Sequence, residues 1–320
     1  MKWIDMHCDT LSMLREGTDG TLEENRLCVD IRRLKQAGAA AQFFACFVNV
    51  GKGAEKEKWN RGYEKVLSMV SRARAAAGKD FFIAISAEDL PRTGQKEGMA
   101  GILTVEEGGV LDQKMERLGE LYNRGVRLMT LTWNYENCIG SPNSRDRNMM
   151  EKGLTPFGKE VAEQMNALGM IIDVSHLSDG GFYDCIRLSQ VPVVASHSNA
   201  RELCPHPRNL SDDMLRLLGE KGGVAGVNFY SSFLTDRRRR ADLEDIVRHM
   251  VYMIGRAGED AVALGTDFDG FDRPSLPAGI ESVLDMEKLW DQMARAGLSP
   301  RQIEKIAYGN VMRVIRDVWK

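Results

Sequence analysis

The sequence predicts an α/β fold in which eight parallel strands close into a (β/α)8, TIM-like barrel. Short apolar runs of strand length alternate with longer helical stretches, which indicates a parallel sheet. Several runs are nearly continuous in Val, Ile, Leu, Phe or Ala, as in strands buried on both faces. The 320 residues suit one barrel, which needs roughly 250. Because no linker or internal repeat interrupts the alternation, we expect one domain over residues 1–320.

Nine runs have the length and composition of buried strands, one more than the barrel needs. They cover residues 3–7, 42–48, 81–86, 101–105, 127–132, 170–175, 192–196, 223–228 and 261–266. We expect either the run 81–86 or the run 42–48 to be an accessory element. Helical stretches between the runs include residues 59–77, 155–168, 212–221 and 243–257.

Several helix boundaries are signalled by single residues. Thr155 and Ser299 each offer a capping hydroxyl and are followed by a proline, which favours the first position of a helix. Gly169 and Gly222 are placed to end helices before the next strand. These signals support the predicted alternation of helices and strands.

The composition is that of a soluble enzyme. The chain is 43% hydrophobic and 28% charged, and its formal charge of −3 gives no electrostatic reason to bind nucleic acid or an anionic membrane. No apolar stretch approaches the roughly 18 residues that span a bilayer, and no signal peptide is recognisable. The six cysteines form no CxxC pair and are expected to be free thiols. We therefore expect a cytoplasmic protein.

Candidate metal ligands follow four of the predicted strands, at the end where parallel α/β folds collect ligands. They are His7 and Asp9 in IDMHCDT, Glu107 in GILTVEEGG, His176 in MIIDVSHLS and His197 in VPVVASHSN. Imidazole and carboxylate ligands favour Zn²⁺, with Mn²⁺ or Co²⁺ as substitutes. Any one of these histidines could be a core residue, but together the residues predict a metallohydrolase with two metal ions.

The bridging ligand has to come from two adjacent glutamates, of which only one can face the barrel mouth. Gly108 and Gly109 permit a tight turn and a close backbone approach beside Glu107. This adjacency, together with the family resemblance described below, favours Glu107 over Glu106 as the carboxylate that bridges both ions. The alternative for a Glu-Glu-Gly-Gly segment is an exposed acidic turn.

Two further strand ends carry aspartates. Asp267, in AVALGTDFDGF, is the first acidic residue past its apolar run and is predicted to orient or deprotonate a metal-bound water. Asp269, in the glycine-rich turn that follows, is predicted to be structural. Asp173 lies three residues before His176, and we expect it to anchor a loop or to support a metal ligand.

The sequence resembles the membrane (renal) dipeptidase family, the zinc-dependent peptidases of family M19. The matching segments occur in order from residue 4 to about residue 315, and they are IDMHCDT, VEEGG, DVSHLS, ASHSNA, PRNLSDD, VNFY, GTDFDG and GNVMRVI. The resemblance implies a barrel with two Zn²⁺ ions, and it also implies homodimers. It further implies the cleavage of small dipeptides, often with a D-residue at the C-terminal side.

The resemblance also implies roles for individual residues. One metal ion would be held by His7, Asp9 and the shared Glu107, and the other by Glu107 and the two histidines His176 and His197. Asp267 would handle protons. Arg208, in PRNLSDD, would receive the free carboxylate of the substrate, which suits a guanidinium fork. Arg201 is a competing choice for this role.

One position departs from the family. Its animal members have a histidine in the motif L-T-H, whereas this chain reads LTWNYEN, with Trp133 in that place. An indole N–H can donate one hydrogen bond but carries no positive charge. In the family, this histidine is associated with stabilising the oxyanion that forms at the scissile carbonyl. Here either a zinc ion stabilises the oxyanion alone, or Asn134 or Asn137 contributes. Trp133 can also be a bulky residue that forms a wall of the barrel mouth. Loss of one oxyanion donor costs about 10²–10³ in rate.

We therefore expect a metal-dependent dipeptidase in which a hydroxide that bridges two metal ions attacks the peptide bond. Arg208, Trp133 and Asn137 are the expected substrate-binding residues. One alternative keeps the site and changes the substrate to another amide, a lactone or a β-lactam. The other alternative is a metal-binding scaffold with weak catalytic activity.

Overall fold

The fold, described by a computed structural model over residues 1–15, 17–53, 55–90, 98–237 and 239–320, is built on one parallel sheet. Its strands are β1 (Trp3–Cys8), β2 (Ala39–Phe47), β3 (Phe81–Ile83), β4 (Met99–Glu106), β5 (Val126–Thr130), β6 (Ile171–Asp173), β7 (Val194–Ala195), β8 (Val224–Val227) and β9 (Val262–Leu264). Each predicted run overlaps one of these strands.

Eight of the strands close into a ring. The pairing runs β1-β2-β4-β5-β6-β7-β8-β9 and returns to β1, and every pair is parallel. The remaining strand, β3, pairs with the first residues of β4, from Met99 to Gly101, and is the accessory element. The predicted (β/α)8 barrel is thus confirmed. Of the two runs that could have been accessory, the run at residues 81–86 is the one that lies outside the ring.

Helices flank the barrel between successive strands. They are α1 (Thr10–Met13), α2 (Ile31–Gln36), α3 (Lys56–Ala75), α4 (Met115–Asn123), α5 (Arg147–Met150), α6 (Pro156–Leu168), α7 (Asp179–Leu188), α8 (Asp212–Glu220), α9 (Ser231–Leu234), α10 (Leu243–Ala257), α11 (Met286–Arg295), α12 (Pro300–Glu304) and α13 (Asn310–Val318). Short 3₁₀ turns lie at Ala87–Asp89, Gly108–Leu111, Arg273–Ser275 and Val283–Asp285, and a π turn at Lys305–Gly309 joins α12 to α13. Within the described residues, none of the helices is long and apolar enough to cross a bilayer.

The predicted capping residues explain several of these boundaries. The hydroxyl of Thr155 accepts the backbone N–H of Gly158 at the start of α6, and that of Ser299 accepts the N–H of Gln302 at the start of α12. Gly169 ends α6 with a φ of 79°, a left-handed conformation that glycine adopts without steric cost.

The inside of the barrel is apolar at one end and polar at the other. Ile4, Ile102 and Leu128 belong to an interior cluster against which α13 packs Val311 and Ile315. Towards the C-terminal ends of the strands, the buried residues become polar: Thr104, Glu106, Thr130, Asp173, Ser196 and Thr266. This polar end is where the candidate ligands lie.

Candidate metal centre

The end of β1 supplies His7 and Asp9, which both project into the barrel mouth. His7 Nε2 lies 3.2 Å from Asp9 Oδ2 and 3.4 Å from Glu106 Oε2. Both side chains of the pair are almost completely buried. The structure therefore brings His7 and Asp9 together with the carboxylate of Glu106, which comes from β4. In the ring, β2 lies between β1 and β4.

His176 and His197 approach the same carboxylate from the opposite side. Their Nε2 atoms lie 3.1 Å apart, at 3.1 Å and 3.6 Å respectively from Glu106 Oε1. The two oxygens of Glu106 thus face different groups of donors, Oε2 towards His7 and Oε1 towards the histidine pair. This is the arrangement expected of a carboxylate that bridges two cations.

The structure corrects the choice between the two glutamates, because Glu106 and not Glu107 lies among the histidines. Along β4, Glu106 has the parity of Ala100 and Ile102, whose side chains face the barrel interior. Glu107 is the next residue and has a φ of 92°. Its Oε1 accepts the N–H of Gly109 at 3.0 Å and the Nδ2 of Asn137 at 2.6 Å, so it holds the following turn instead.

Supporting hydrogen bonds fix the orientation of two of the imidazoles. His176 Nδ1 lies 3.1 Å from Asn134 Oδ1, so an N–H on Nδ1 leaves Nε2 free to bind a cation. His197 Nδ1 lies 2.6 Å from the hydroxyl of Ser196, which donates to Asp173 Oδ2 at 2.6 Å. Asp173 therefore supports a ligand from behind, one of the two roles expected for it.

Asp267 faces the His7 side of the site. Its Oδ2 accepts the Nδ2 of Asn228 at 2.8 Å, and its Oδ1 lies 3.8 Å from His7 Nε2. Gly270 packs directly over this carboxylate, and a Cβ at Gly270 would collide with Asp267 Oδ1 and lie 2.6 Å from Asp9 Oδ2. The position thus has room only for glycine.

Asp269 is engaged in structure, as predicted. Its two oxygens accept the hydroxyl of Thr10 at 2.6 Å and the backbone N–H of Cys28 at 2.7 Å. The residue therefore joins the loop after β9 to the segment between α1 and α2.

The donors fit divalent metal ions. Two groups have ligand atoms within 4.8 Å of one another: His7 with Glu106 and His197, and His7 with Asp9 and Asp267. Asp9 Oδ1 and His7 Nδ1 are buried and have no hydrogen-bond partner in the described part of the chain. A buried carboxylate oxygen is normally paired, so Asp9 Oδ1 is an acceptor that a cation would satisfy. Mixed imidazole and carboxylate donors suit zinc and similar ions.

The electrostatics of these groups are strongly coupled. Burial disfavours the charged form of Glu106, but the surrounding imidazoles of His7, His176 and His197 outweigh it and hold its pKa well below the usual range. Burial, assisted by the charges of Asp9 and Glu106, raises the pKa of Asp267 well above its ordinary value. The environment therefore favours the ionised form of Glu106 and disfavours that of Asp267.

A cavity of about 270 Å³ opens over these groups. Its wall is largely aromatic and includes Phe47, Trp133, Tyr230, Phe233 and Phe271. The Trp133 ring lies 4.9 Å from that of Phe47 and 6.5 Å from that of His176. Trp133 thus has the position of a wall residue next to the donors.

Asn137, predicted to bind substrate, does not line this cavity. Its Nδ2 donates to Glu107 and to the backbone oxygen of Leu131 at 2.9 Å, and its Oδ1 accepts the N–H groups of Ile139 and Gly140. Its hydrogen-bonding capacity is used by the loop after β5 and by Glu107 in the turn after β4. The structure corrects this assignment: of the two asparagines considered, Asn134 lines the cavity.

Arg208 lies behind the wall of the cavity, where it is fully buried. Its Nη1 donates to the hydroxyl of Ser198 at 2.7 Å, its Nη2 donates to the backbone oxygen of His197 at 3.0 Å, and its Nε has no partner among the described residues. Phe233 stands next to it, with the guanidinium carbon 5.8 Å from the ring centre. Burial lowers the pKa of Arg208 to about 10, which leaves it charged at neutral pH. Its competitor Arg201 is held by Asp179 at 2.7 Å through two nitrogens.

Sequence reasoning missed Asn228 and Gly270 as well as Glu106. The alternation of β4 could have identified Glu106, since Ile102 and Glu106 are four residues apart on one strand. Asn228 follows the run of β8 directly and carries a polar group at a strand end. Gly270 offers no local signal, because the collision depends on the packing of two distant strand ends.

Known proteins match the chain over its whole length. The model of the membrane dipeptidase family, peptidase family M19, matches residues 1–320. The dipeptidase tcpJ of Claviceps purpurea is 30% identical over 98% of this chain and 76% of its own length. The solved structure of the M19 metallopeptidase called dipeptidase AC is 28% identical, has a TM-score of 0.89, and is matched over 100% of this chain and 99% of that one.

A second solved structure is a metallopeptidase from Rhodobacter sphaeroides with a phosphinate mimic of the dipeptide L-Ala-D-Ala. It is 26% identical, with a TM-score of 0.85 and coverage of 100% of this chain and 99% of the other. The likeness to both solved structures extends over the barrel and the strand ends that carry the site. The chain therefore belongs to the membrane dipeptidase family, peptidase family M19, and is a dipeptidase of that family.

Proposed function

We propose that the chain hydrolyses small dipeptides, including those with a C-terminal D-residue, at a site that holds two Zn²⁺ ions. The observation that carries this proposal is the central position of Glu106, whose Oε2 faces His7 and whose Oε1 faces His176 and His197. The ligand of the Rhodobacter sphaeroides relative, a mimic of L-Ala-D-Ala, supports the choice of a D-residue at the C-terminal side.

The ions would be held by five residues. His7, Asp9 and Glu106 would bind one ion, and Glu106, His176 and His197 the other. Bound there, two ions would lower the pKa of a water molecule and polarise the carbonyl of the scissile bond.

Asp267 would move the proton. Its Oδ2 is held by Asn228, so its Oδ1 is the oxygen that faces the donors of the site. A carboxylate whose pKa is raised by burial is a better general base, and once protonated it can donate to the leaving amine. The same group would thus serve both halves of the reaction.

The walls of the cavity would select the substrate. At about 270 Å³ the cavity is at the small end of the range for ligand sites, which suits a dipeptide better than a longer chain. Trp133 would exclude water and pack against a substrate side chain. Asn134, whose Oδ1 is engaged by His176, would offer its Nδ2 to the developing oxyanion.

Arg208 would recognise the C-terminal carboxylate. It is charged and buried, and its Nε lacks a partner among the described residues, so it retains a donor for an anion. Phe233 lines the cavity and its ring centre lies 5.8 Å from the guanidinium carbon of Arg208, so a substrate carboxylate would reach Arg208 beside this ring. Arg208→Ala should then raise KM for free dipeptides and leave metal content unchanged. If Arg208→Ala instead lowered the metal content, the role of Arg208 would be to hold His197 in place.

The experiment that tests the proposal is a substrate panel on zinc-loaded protein. It contains L-Ala-L-Ala, L-Ala-D-Ala, their C-terminal amides and tri-alanine, with His176→Ala and Asp267→Asn as matched blanks. We expect turnover of the free dipeptides alone, lost by several orders of magnitude in both blanks. Near-native rates in the blanks would refute the mechanism, and turnover of the amides or tri-alanine without turnover of any free dipeptide would refute the substrate class.

A further inference from the structure

A second depression lies beside the catalytic cavity. It has a volume of about 690 Å³ and runs between α1, the end of β2 and most of the length of α3. Met13 and Phe47 line both spaces and form the boundary between them. A group bound in this groove would therefore lie next to the mouth of the catalytic site.

The groove is basic. Four cations line it, namely Lys58, Arg61, Lys65 and Arg72, and none of the described residues that line it is an Asp or a Glu. The first three are exposed and lie at spacings of three and four residues, so they share one face of α3. In the described part of the chain, none of these three forms an ion pair, whereas Arg147, Arg216 and Lys288 on other helices are each paired with a carboxylate.

Arg72 adds a partly buried charge at the base of the groove. Its Nη1 and Nη2 donate to the backbone oxygens of Leu14 and Leu11, at 2.9 Å and 2.8 Å, and its Nε is buried without a hydrogen-bond partner in the described residues. Carbonyl oxygens satisfy hydrogen bonds but do not neutralise the charge. Because the whole chain has a net charge of −3, this concentration of unpaired positive charge is local.

We propose that the groove attracts an anionic group on the substrate, so that the enzyme favours dipeptides with an acidic side chain over neutral and basic ones. This inference rests on the proposed dipeptidase function. A substrate side chain is the occupant favoured by position, since Met13 and Phe47 line both spaces and the groove therefore adjoins the catalytic cavity. Unpaired cations in a depression raise the local concentration of an anion and its rate of association.

The test compares substrates that differ only in charge. kcat/KM is measured for Glu-Ala against Gln-Ala and for Ala-Glu against Ala-Gln, at low salt and at about 0.5 M NaCl, where the Debye length is below roughly 5 Å. We expect the wild-type enzyme to favour the acidic member of one pair by about tenfold at low salt, and the preference to decrease at high salt.

A charge-matched pair of triple variants locates the effect. The groove variant removes the three exposed charges of the groove and carries Lys58→Ala, Arg61→Ala and Lys65→Ala. The control variant removes three exposed cations elsewhere on the protein and carries Lys159→Ala, Arg295→Ala and Arg316→Ala. Among the described residues, these three control cations also form no ion pair. The preference should fall towards unity in the groove variant and persist in the matched control. An equal loss in both variants, or a preference unchanged in the groove variant, would overturn the inference.

A binding measurement separates this inference from the proposed function. Calorimetric affinities for Glu-Ala and Gln-Ala are compared in zinc-loaded Asp267→Asn, with and without the three groove substitutions. If neutral dipeptides are hydrolysed but the charge preference is absent, the groove inference alone fails. If no dipeptide is hydrolysed, the proposed function fails, and equal affinities for the two peptides would then overturn the groove inference as well.

Discussion

Replacing Glu106 by Gln tests the assignment on which the metal centre depends. The glutamate oxygens lie 3.1–3.6 Å from the nearest nitrogens of three histidines, and Gln has nearly the same size but one fewer oxygen and no charge. For a cation at a similar distance, the loss of one unit charge at an effective dielectric constant of 20 costs about 5 kcal/mol. Such a loss weakens metal binding by more than about 10³-fold.

Glu107→Gln is the matched control for this prediction. Its Oε1 accepts two hydrogen bonds in the turn, and the amide oxygen of Gln can still accept both, so we expect a stability change of about 1 kcal/mol or less. Metal content after dialysis, measured by mass spectrometry, and dipeptide turnover would be compared, with circular dichroism as a check of folding. If the Glu107 variant lost its metal while the Glu106 variant kept it, our interpretation of β4 would be refuted.

Three further predictions follow from the environment of single residues. Gly270→Ala should abolish dipeptide hydrolysis, because the added methyl group collides with Asp267. By contrast, Gly119→Ala, in open space on α4, should retain full activity and gain up to about 1 kcal/mol; equal turnover in both would contradict the packing argument. Asn134→Ala should weaken metal binding about 10–100-fold in a chelator competition, and Asn134→Asp, which keeps the acceptor oxygen, should restore most of it; an affinity equal to wild type in the alanine variant would exclude this support. Burial lowers the pKa of His249 from 6.5 to about 4. Between pH 6.5 and about pH 4, the imidazole of His249 therefore binds a proton in the unfolded chain but not in the folded chain. Wild-type stability should therefore be full above about pH 6.5 and fall by up to about 3 kcal/mol on the way to pH 4, while His249→Gln shows a flatter profile in urea unfolding; parallel profiles would refute this.

The fold was predictable because strand burial and helix capping are local signals. The run at residues 243–257 matches α10 at both ends, and the Thr155-Pro156 and Ser299-Pro300 pairs mark the starts of α6 and α12. The sequence could not tell which of two runs lies outside the ring. That outcome depends on pairing across the barrel, where β2 takes one edge of β4 and β5 pairs with Leu103–Glu106 on the other edge, which leaves β3 only the first three residues of β4.

The ligand types were predictable, but the partners of polar residues near the site were not. His7, Asp9, His176 and His197 follow apolar runs, and the closed ring brings them together. Asn137 lies in the same loop as Asn134, yet its amide is fully used by that loop and by Glu107. Only the three-dimensional path of the loop decides which asparagine lines the cavity.

Backbone conformation accounts for why simple alternation fails where the chemistry lies. His176 and Asp267 each stand three residues beyond the last residue of a strand, and they have φ values of 66° and 61°; Glu107 and Asp269 are also left-handed. Such a conformation costs a non-glycine residue on the order of 1–3 kcal/mol and persists only where the surroundings impose it. Here the closed ring and contacts such as Asn228 to Asp267 and Asn134 to His176 impose it. In these left-handed turns, the side chains of His176 and Asp267 do not point in the direction that strand alternation would give. Both residues lie in loops, and the turns direct them towards the site around Glu106, which belongs to a regular strand. We infer that the strain is part of how the site is held in place before a substrate binds.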